Sequence, residues 1–345
     1  MREGSKVHQK LEDEVHTTVR VEVTSREDAF GLRLWNFIQG LRTLRDTGLT
    51  RELEVWGMLN GNLVNGVIDV LSYENPNPDF EDELGLDATA QPKMTDFFVV
   101  EKPKKQPTDT KKIYLTDVKT RGSATPVSKA TLRPAKIQLL LYHRFLSEMA
   151  SDKLDLFRAM RRYGLDADEP FSDGFLAQIG SLHDEIFDFT SPKSSIEEPG
   201  ASAIDSTPQS GTDGSNKASQ LLSTPDIVKY SSLRELISLV KEEIQLAFPE
   251  GSGSMGNMLQ VQYVHREDGR VLDLHDFPVS PTALQEYLGS YMKWWQGERK
   301  ATGVEIEEAF KCRTCEFAET CSWRRDMDNE RVRKARAKSR SVTAS

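Results

Sequence analysis

Asp117 and Lys119 stand two residues apart in Ile113-Tyr114-Leu115-Thr116-Asp117-Val118-Lys119, a run that reads as a strand. Residues two apart in a strand share a face, so this carboxylate and this ammonium project together. A second acid, Asp69, interrupts the apolar run Val67-Ile68-Asp69-Val70-Leu71. An acid there breaks the alternation of a half-buried strand, and burying a carboxylate without compensation is costly. If the strand beginning near Leu63 pairs with the one ending near Arg121, Asp69 sits beside Asp117. Two carboxylates that close repel each other, which a hard divalent cation such as Mg²⁺ relieves. With an ammonium alongside, the set suits metal-assisted hydrolysis of a phosphodiester. A D-x-K triplet alone is commonplace as a solvated strand edge, and Asp69 is what lifts this one above that background.

Three further features carry possible chemistry. Cys312, Cys315 and Cys321 are the chain's only cysteines, spaced C-x2-C-x5-C and flanked by Lys311, Arg313 and Arg324. Three thiols so clustered exclude a disulfide scaffold and read as metal or iron–sulfur ligands in a reducing compartment. Spacing alone does not separate iron from zinc. His8 precedes Glu12 by four residues on an amphipathic helix over Gly4–Thr17, where a histidine is ordinarily a surface residue. Gln138 and Tyr142, also four apart, share one helical face, by itself an ordinary helix margin.

The elements that must position these residues are legible from periodicity. Helices are expected over Arg26–Thr47, Thr131–Ala150, Leu233–Phe248 and Thr282–Lys300. Leu53–Leu59 and Leu63–Leu71, joined through Asn60-Gly61, form a hairpin, and Ile113–Lys119 is a third strand. Leu259–Val264 and Arg270–Leu274, joined at Asp268-Gly269, form a second hairpin. The fold class is α/β, a mixed sheet flanked by helices. Residues 1–189 form the first part of one domain, with an acidic surface insertion at about 72–112. The Ser-, Pro- and Gly-rich stretch 190–226 is a disordered insertion, 227–323 completes the domain with the cysteine segment, and 324–345 is a basic tail. Tyr287, Tyr291, Trp294 and Trp295 follow helical spacing and are expected to pack into the core, with base stacking as the alternative.

Composition bounds the rest. With 37% hydrophobic and 8% aromatic residues the chain is not disordered as a whole. No stretch approaches the roughly 20 apolar residues of a membrane span, so a soluble protein is expected. The net charge of −9 argues weakly against nucleic acid until it is resolved locally. Between Lys102 and Lys136 only Asp109 and Asp117 oppose ten basic residues, among them Arg121, Lys129 and Arg133. Such a segment binds phosphates in a salt-sensitive way.

In chain order, His8, the G-x-x-D ending at Asp69, Asp117-x-Lys119, Gln138-x-x-x-Tyr142 and the cysteine triplet resemble the RecB-like branch of the PD-(D/E)XK nucleases, in its iron–sulfur variety. Within that branch, which includes the AddB subunit, the chain is most similar to the exonuclease V family in its fungal form. The resemblance implies a restriction-endonuclease-like fold and a Mg²⁺- or Mn²⁺-dependent exonuclease that degrades single-stranded DNA from a free end. It makes His8, Asp69, Asp117 and the carbonyl of Val118 the metal ligands and Lys119 the catalytic lysine. Gln138 and Tyr142 would line the site, and Glu52 or Glu54 would add a carboxylate. It makes Cys312, Cys315 and Cys321 ligands of a structural [4Fe–4S] cluster whose fourth cysteine lies upstream of the histidine helix, a position that these 345 residues do not include. It further implies a monomer in mitochondrial DNA maintenance, with the nucleus as the alternative location and a single-strand-binding protein as a candidate partner. Two rivals are a nuclease subunit of a helicase complex with endonuclease or flap activity, and a non-catalytic DNA-binding iron–sulfur protein.

Overall fold

The computed structural model describes residues 21–87, 111–187 and 229–342. The histidine helix, the stretch 190–226, and Lys102, Lys104 and Lys105 lie outside the described residues. Helix α1 (Arg26–Thr47) is set at both ends by local chemistry. Ser25 and Asp28 form a reciprocal capping box, and Gly48, at φ 83°, closes the last turn in the left-handed conformation. Its apolar stripe of Phe30, Leu34, Phe37, Ile38, Leu41 and Leu44 is buried.

Strands β1 (Leu49–Leu59) and β2 (Asn62–Ser72) pair antiparallel around Asn60 and Gly61, whose φ angles of 48° and 80° are those of the expected hairpin turn. After the short helix α2 (Pro78–Asp87), strand β3 (Ile113–Arg121) lies antiparallel to β2. Helices α3 (Lys129–Ala150), α4 (Leu156–Tyr163), α5 (Asp173–Phe187) and α6 (Leu233–Ala247) follow. Strand β4 (Met255–His265) joins β3 in parallel, and β5 (Val271–Pro278) closes the sheet antiparallel to β4. The order is β1-β2-β3-β4-β5, one parallel pairing in an otherwise antiparallel sheet, which is the mixed α/β architecture expected. Helix α7 (Pro281–Trp295), a 3₁₀ segment (Ile306–Arg313) and helix α8 (Ser322–Val342) complete the described chain. Among the described residues no helix is long and apolar enough to cross a membrane.

One core joins these layers. Helix α3 lies on the sheet, with Phe145 seated where a side chain at Gly57 of β1 would otherwise stand. On the other side of β1, Trp56 packs on Phe37 with ring centroids 5.9 Å apart. Helix α6 is tied to α1 through the buried Glu243, which accepts from Arg42 at 2.7 Å and Arg45 at 2.6 Å.

The expectation for α7 is corrected. Only Leu284 of this helix is buried, and Trp294 and Trp295 are 46% and 72% exposed. A stripe at helical spacing shows that a helix has an apolar face, and leaves open what covers it.

Asp28 does more than cap. Its carboxylate accepts from Thr24, from Ser25 and, across 144 residues, from the Ser172 backbone at 3.0 Å and hydroxyl at 2.8 Å. Burial pushes the carboxyl up, but the bonds from Ser172 and Thr24 outweigh it and hold the pKa at about 2, down from 3.8. A depressed folded pKa means that this stabilisation is whole above pH 3.8 and is lost as pH falls through about 2. Asp28→Ala is therefore expected to cost about 2–3 kcal/mol at pH 7 in urea unfolding, with the gap to wild type closing in acid.

Candidate active site

The register of β2 on β3 runs Ser72↔Tyr114, Leu71↔Leu115 and Val70↔Thr116, and the ladder ends there. One step further along the same diagonal stand Asp69 and Asp117. In place of the next ladder bond, Asp69 Oδ2 accepts the Val118 N–H at 2.6 Å. Strand β1 also deviates at this level. Arg51 pairs with Val70 and Leu53 with Ile68, while Glu52, between them and opposite Asp69, takes φ 52°. A left-handed glutamate is strained, and such strain collects at functional sites.

Asp117 is 2% exposed, and its Oδ1 accepts from Lys119 Nζ at 2.6 Å. Lys119 also reaches Gln138 Oε1 at 3.5 Å, and Gln138 Nε2 reaches Tyr142 OH at 3.3 Å. Five sequence-selected residues from two strands and one helix thus share one network. Burial lowers the Lys119 pKa, but Asp117, with a smaller contribution from Asp69, outweighs it, and the net shift is upward. Burial, Asp69 and Asp117 likewise raise the Tyr142 phenol against the opposing Gln138 and Lys119. Both groups hold their protons at neutral pH, Lys119 as a cation and Tyr142 as a hydrogen-bond donor.

Gly66 lets Tyr142 approach the sheet, since a Cβ at this position would lie 2.3–2.5 Å from the Tyr142 ring and hydroxyl. Gly66→Ala is expected to push Tyr142 off Gln138 and lower kcat/KM roughly 10- to 100-fold, with thermal unfolding little changed. Wild-type kinetics in that variant would mean that Tyr142 has no positioning role.

The donor set suits a hard cation. Two carboxylates stand one register step past the end of a ladder, Asp69 held by the Val118 N–H and Asp117 by the one ammonium of Lys119, leaving an excess negative charge for a divalent ion to neutralise. Among the described residues no three His, Cys, Asp or Glu side chains converge, and His8 lies outside them. Glu54 is committed elsewhere, accepting from Arg33 Nε and from Asn65 Nδ2, each at 2.9 Å.

The three thiols fit a [4Fe–4S] cluster only in part. They supply three soft donors, Cys312 and Cys321 half-buried and Cys315 exposed, and do not gather as a three-ligand group.

Of the expected DNA contacts, Arg133 is paired at 2.6 Å with Glu308, a carboxylate 3% exposed, which docks the 3₁₀ segment onto α3. Arg121 remains at the end of β3 beside the network, and Lys129 is exposed in the first turn of α3. Arg266, at the exit of β4, was not singled out by sequence. It lies 145 residues from Arg121, and only the parallel β3–β4 pairing brings the two together.

A family model described as "Exonuclease V - a 5' deoxyribonuclease" matches residues 1–324. "Exonuclease V" of Danio rerio is 22% identical over 94% of this chain and 61% of its own length. "Exonuclease V, mitochondrial" of Candida albicans (strain WO-1) is 23% identical over 93% of this chain and 67% of its own. The protein of the same name from Debaryomyces hansenii is 21% identical over 82% of this chain and 53% of its own. The chain thus spans between about half and two thirds of these relatives. With 324 of its 345 residues matched by that family model, the chain belongs to the exonuclease V family.

Proposed function

We propose that the chain is a divalent-metal-dependent exonuclease acting on single-stranded DNA from a 5′ end. The observation that carries this reading is the network of Asp69, Asp117, Lys119, Gln138 and Tyr142 at the point where β2 and β3 part. Asp69 and Asp117, with His8 and the Val118 carbonyl, would hold a Mg²⁺ or Mn²⁺ ion, which when bound would supply an activated water and neutralise charge at phosphorus. Val118 N–H and Lys119 fix the two carboxylates, Lys119 offsets negative charge gathering on the phosphoryl oxygens, and Gln138 holds Lys119 and Tyr142 in place. The family description supports the 5′ polarity. The exposed α7 aromatics Tyr291, Trp294 and Trp295, with the half-buried Tyr287 stacked on Tyr291 at 4.2 Å, support a single-stranded substrate. The names of the fungal relatives support a mitochondrial site of action. The cysteine segment serves here as a structural clamp, which iron and sulfide analysis of the purified protein tests.

The deciding experiment digests end-labelled linear and circular single strands with and without Mg²⁺. Loss of the linear substrate alone, and only with metal, is the expected result. Cutting of circles points instead to an endonuclease of the helicase-subunit type. Binding without cleavage points to a non-catalytic DNA-binding protein.

A further inference from the structure

Strands β3 and β4 run parallel past the catalytic network and end side by side, with Arg121 opposite His265. Their exits form an open cleft of about 550 Å³ lined by Thr120, Arg121, Gly122, Ser123, Arg266 and Glu267. Two guanidiniums and two hydroxyls thus stand against one carboxylate.

Both arginines are held by their surroundings. Arg121 donates to the Thr125 carbonyl at 2.8 Å and to Thr125 Oγ1 at 3.1 Å, and its guanidinium lies 5.5 Å from the centroid of the Tyr263 ring. A guanidinium carries five N–H donors, more than these two bonds use. The Arg266 backbone N–H donates to the Arg121 carbonyl at 2.8 Å, joining the two strand exits. Its side chain rests on Gly122, where a Cβ would come within 3.0–3.1 Å of Nε, Cζ and Nη2. Glycine at this position lets a guanidinium lie directly on the backbone.

Asp117, Lys119 and Arg121 alternate along one face of β3. At about 3.3 Å per residue, Arg121 stands roughly 7 Å beyond Lys119, comparable to one nucleotide step. Planar guanidiniums are matched to phosphate oxygens, and an open cleft admits a strand that continues past it.

We infer that this cleft seats the DNA phosphate one nucleotide from the scissile one, gripped by Arg121 and Arg266 with Thr120 and Ser123 beside them. The inference rests on the nuclease reading for what lies in the neighbouring site. Either an internal phosphodiester or a terminal 5′-phosphate supplies the required chemistry.

The test uses the full chain and Arg266→Ala, an exposed position whose loss leaves the core intact. Cleavage of 5′-phosphorylated and 5′-hydroxyl single strands is measured first. Affinity for the same strands is then measured by anisotropy across a salt series in the Asp117→Ala background. The expected result is a rise of about tenfold in KM and Kd, a loss falling on KM rather than kcat, and a salt slope smaller by about one. Arg266→Lys should restore the slope but only part of the affinity, because an ammonium replaces the charge and not the fork. Loss confined to the 5′-phosphorylated strand assigns the cleft to a terminal phosphate, and equal loss on both strands assigns it to an internal one. Unchanged KM, Kd and slope in Arg266→Ala, with an active wild type, overturns the cleft and leaves the nuclease reading standing. An inactive wild type overturns the nuclease reading, and the salt slope of Arg266→Ala still decides the cleft.

Discussion

Asp117→Ala is expected to abolish cleavage, lowering kcat on the order of 10³-fold or more while leaving DNA binding largely intact. Asp117 is 2% exposed and holds the Lys119 ammonium at 2.6 Å, so its removal takes away a candidate metal ligand and the anchor of the lysine together. The surfaces that would grip the strand, at Arg121, Arg266 and along α7, are untouched. Single-turnover cleavage of end-labelled strands, beside anisotropy on the same strands, separates the two effects. Substantial cleavage by this variant would sink the site assignment.

Lys119→Ala is the second large effect, with kcat falling on the order of 10²–10³-fold. In the folded protein Lys119 is the cation beside a buried carboxylate, so its loss also costs stability. A divalent ion would take over that compensating role. The variant should therefore melt below wild type in chelator and gain more than wild type from added Mg²⁺. Thermal unfolding in EDTA and in Mg²⁺ reads this without any activity measurement. Equal shifts in the two proteins would place the metal away from Asp117.

Much of this site was legible in the sequence because it depends on short-range geometry. Asn60-Gly61 fixes the hairpin that presents Asp69, two-residue spacing puts Asp117 and Lys119 on one face, and four-residue spacing does the same for Gln138 and Tyr142. What escaped depends on distant partners. Arg133, read as a phosphate contact, also pairs with Glu308, 175 residues away, a partner that no local pattern announces. Helices α4 and α5 do carry local signals, Asp155 and Gly164 capping the one and Ser172 starting the other, but the link from Asp28 to Ser172 carries none. Helix α2 lies inside a segment whose acidic, Pro- and Asn-rich composition reads as plain surface. The exposed α7 aromatics show the reverse error, a genuine periodicity assigned to the wrong environment.

The single parallel pairing in the sheet has a consequence for biosynthesis. Strand β3, which carries Asp117 and Lys119, is complete once residue 121 is made, yet its second neighbour begins only at Met255. Until then β3 is an open edge with one row of amide and carbonyl groups exposed, a template for pairing with other chains. Closing so long a loop slows folding. The half-made protein is thus most vulnerable to aggregation while residues 122–254 are being added. It cannot assemble the Arg121–Arg266 cleft until translation has passed β4.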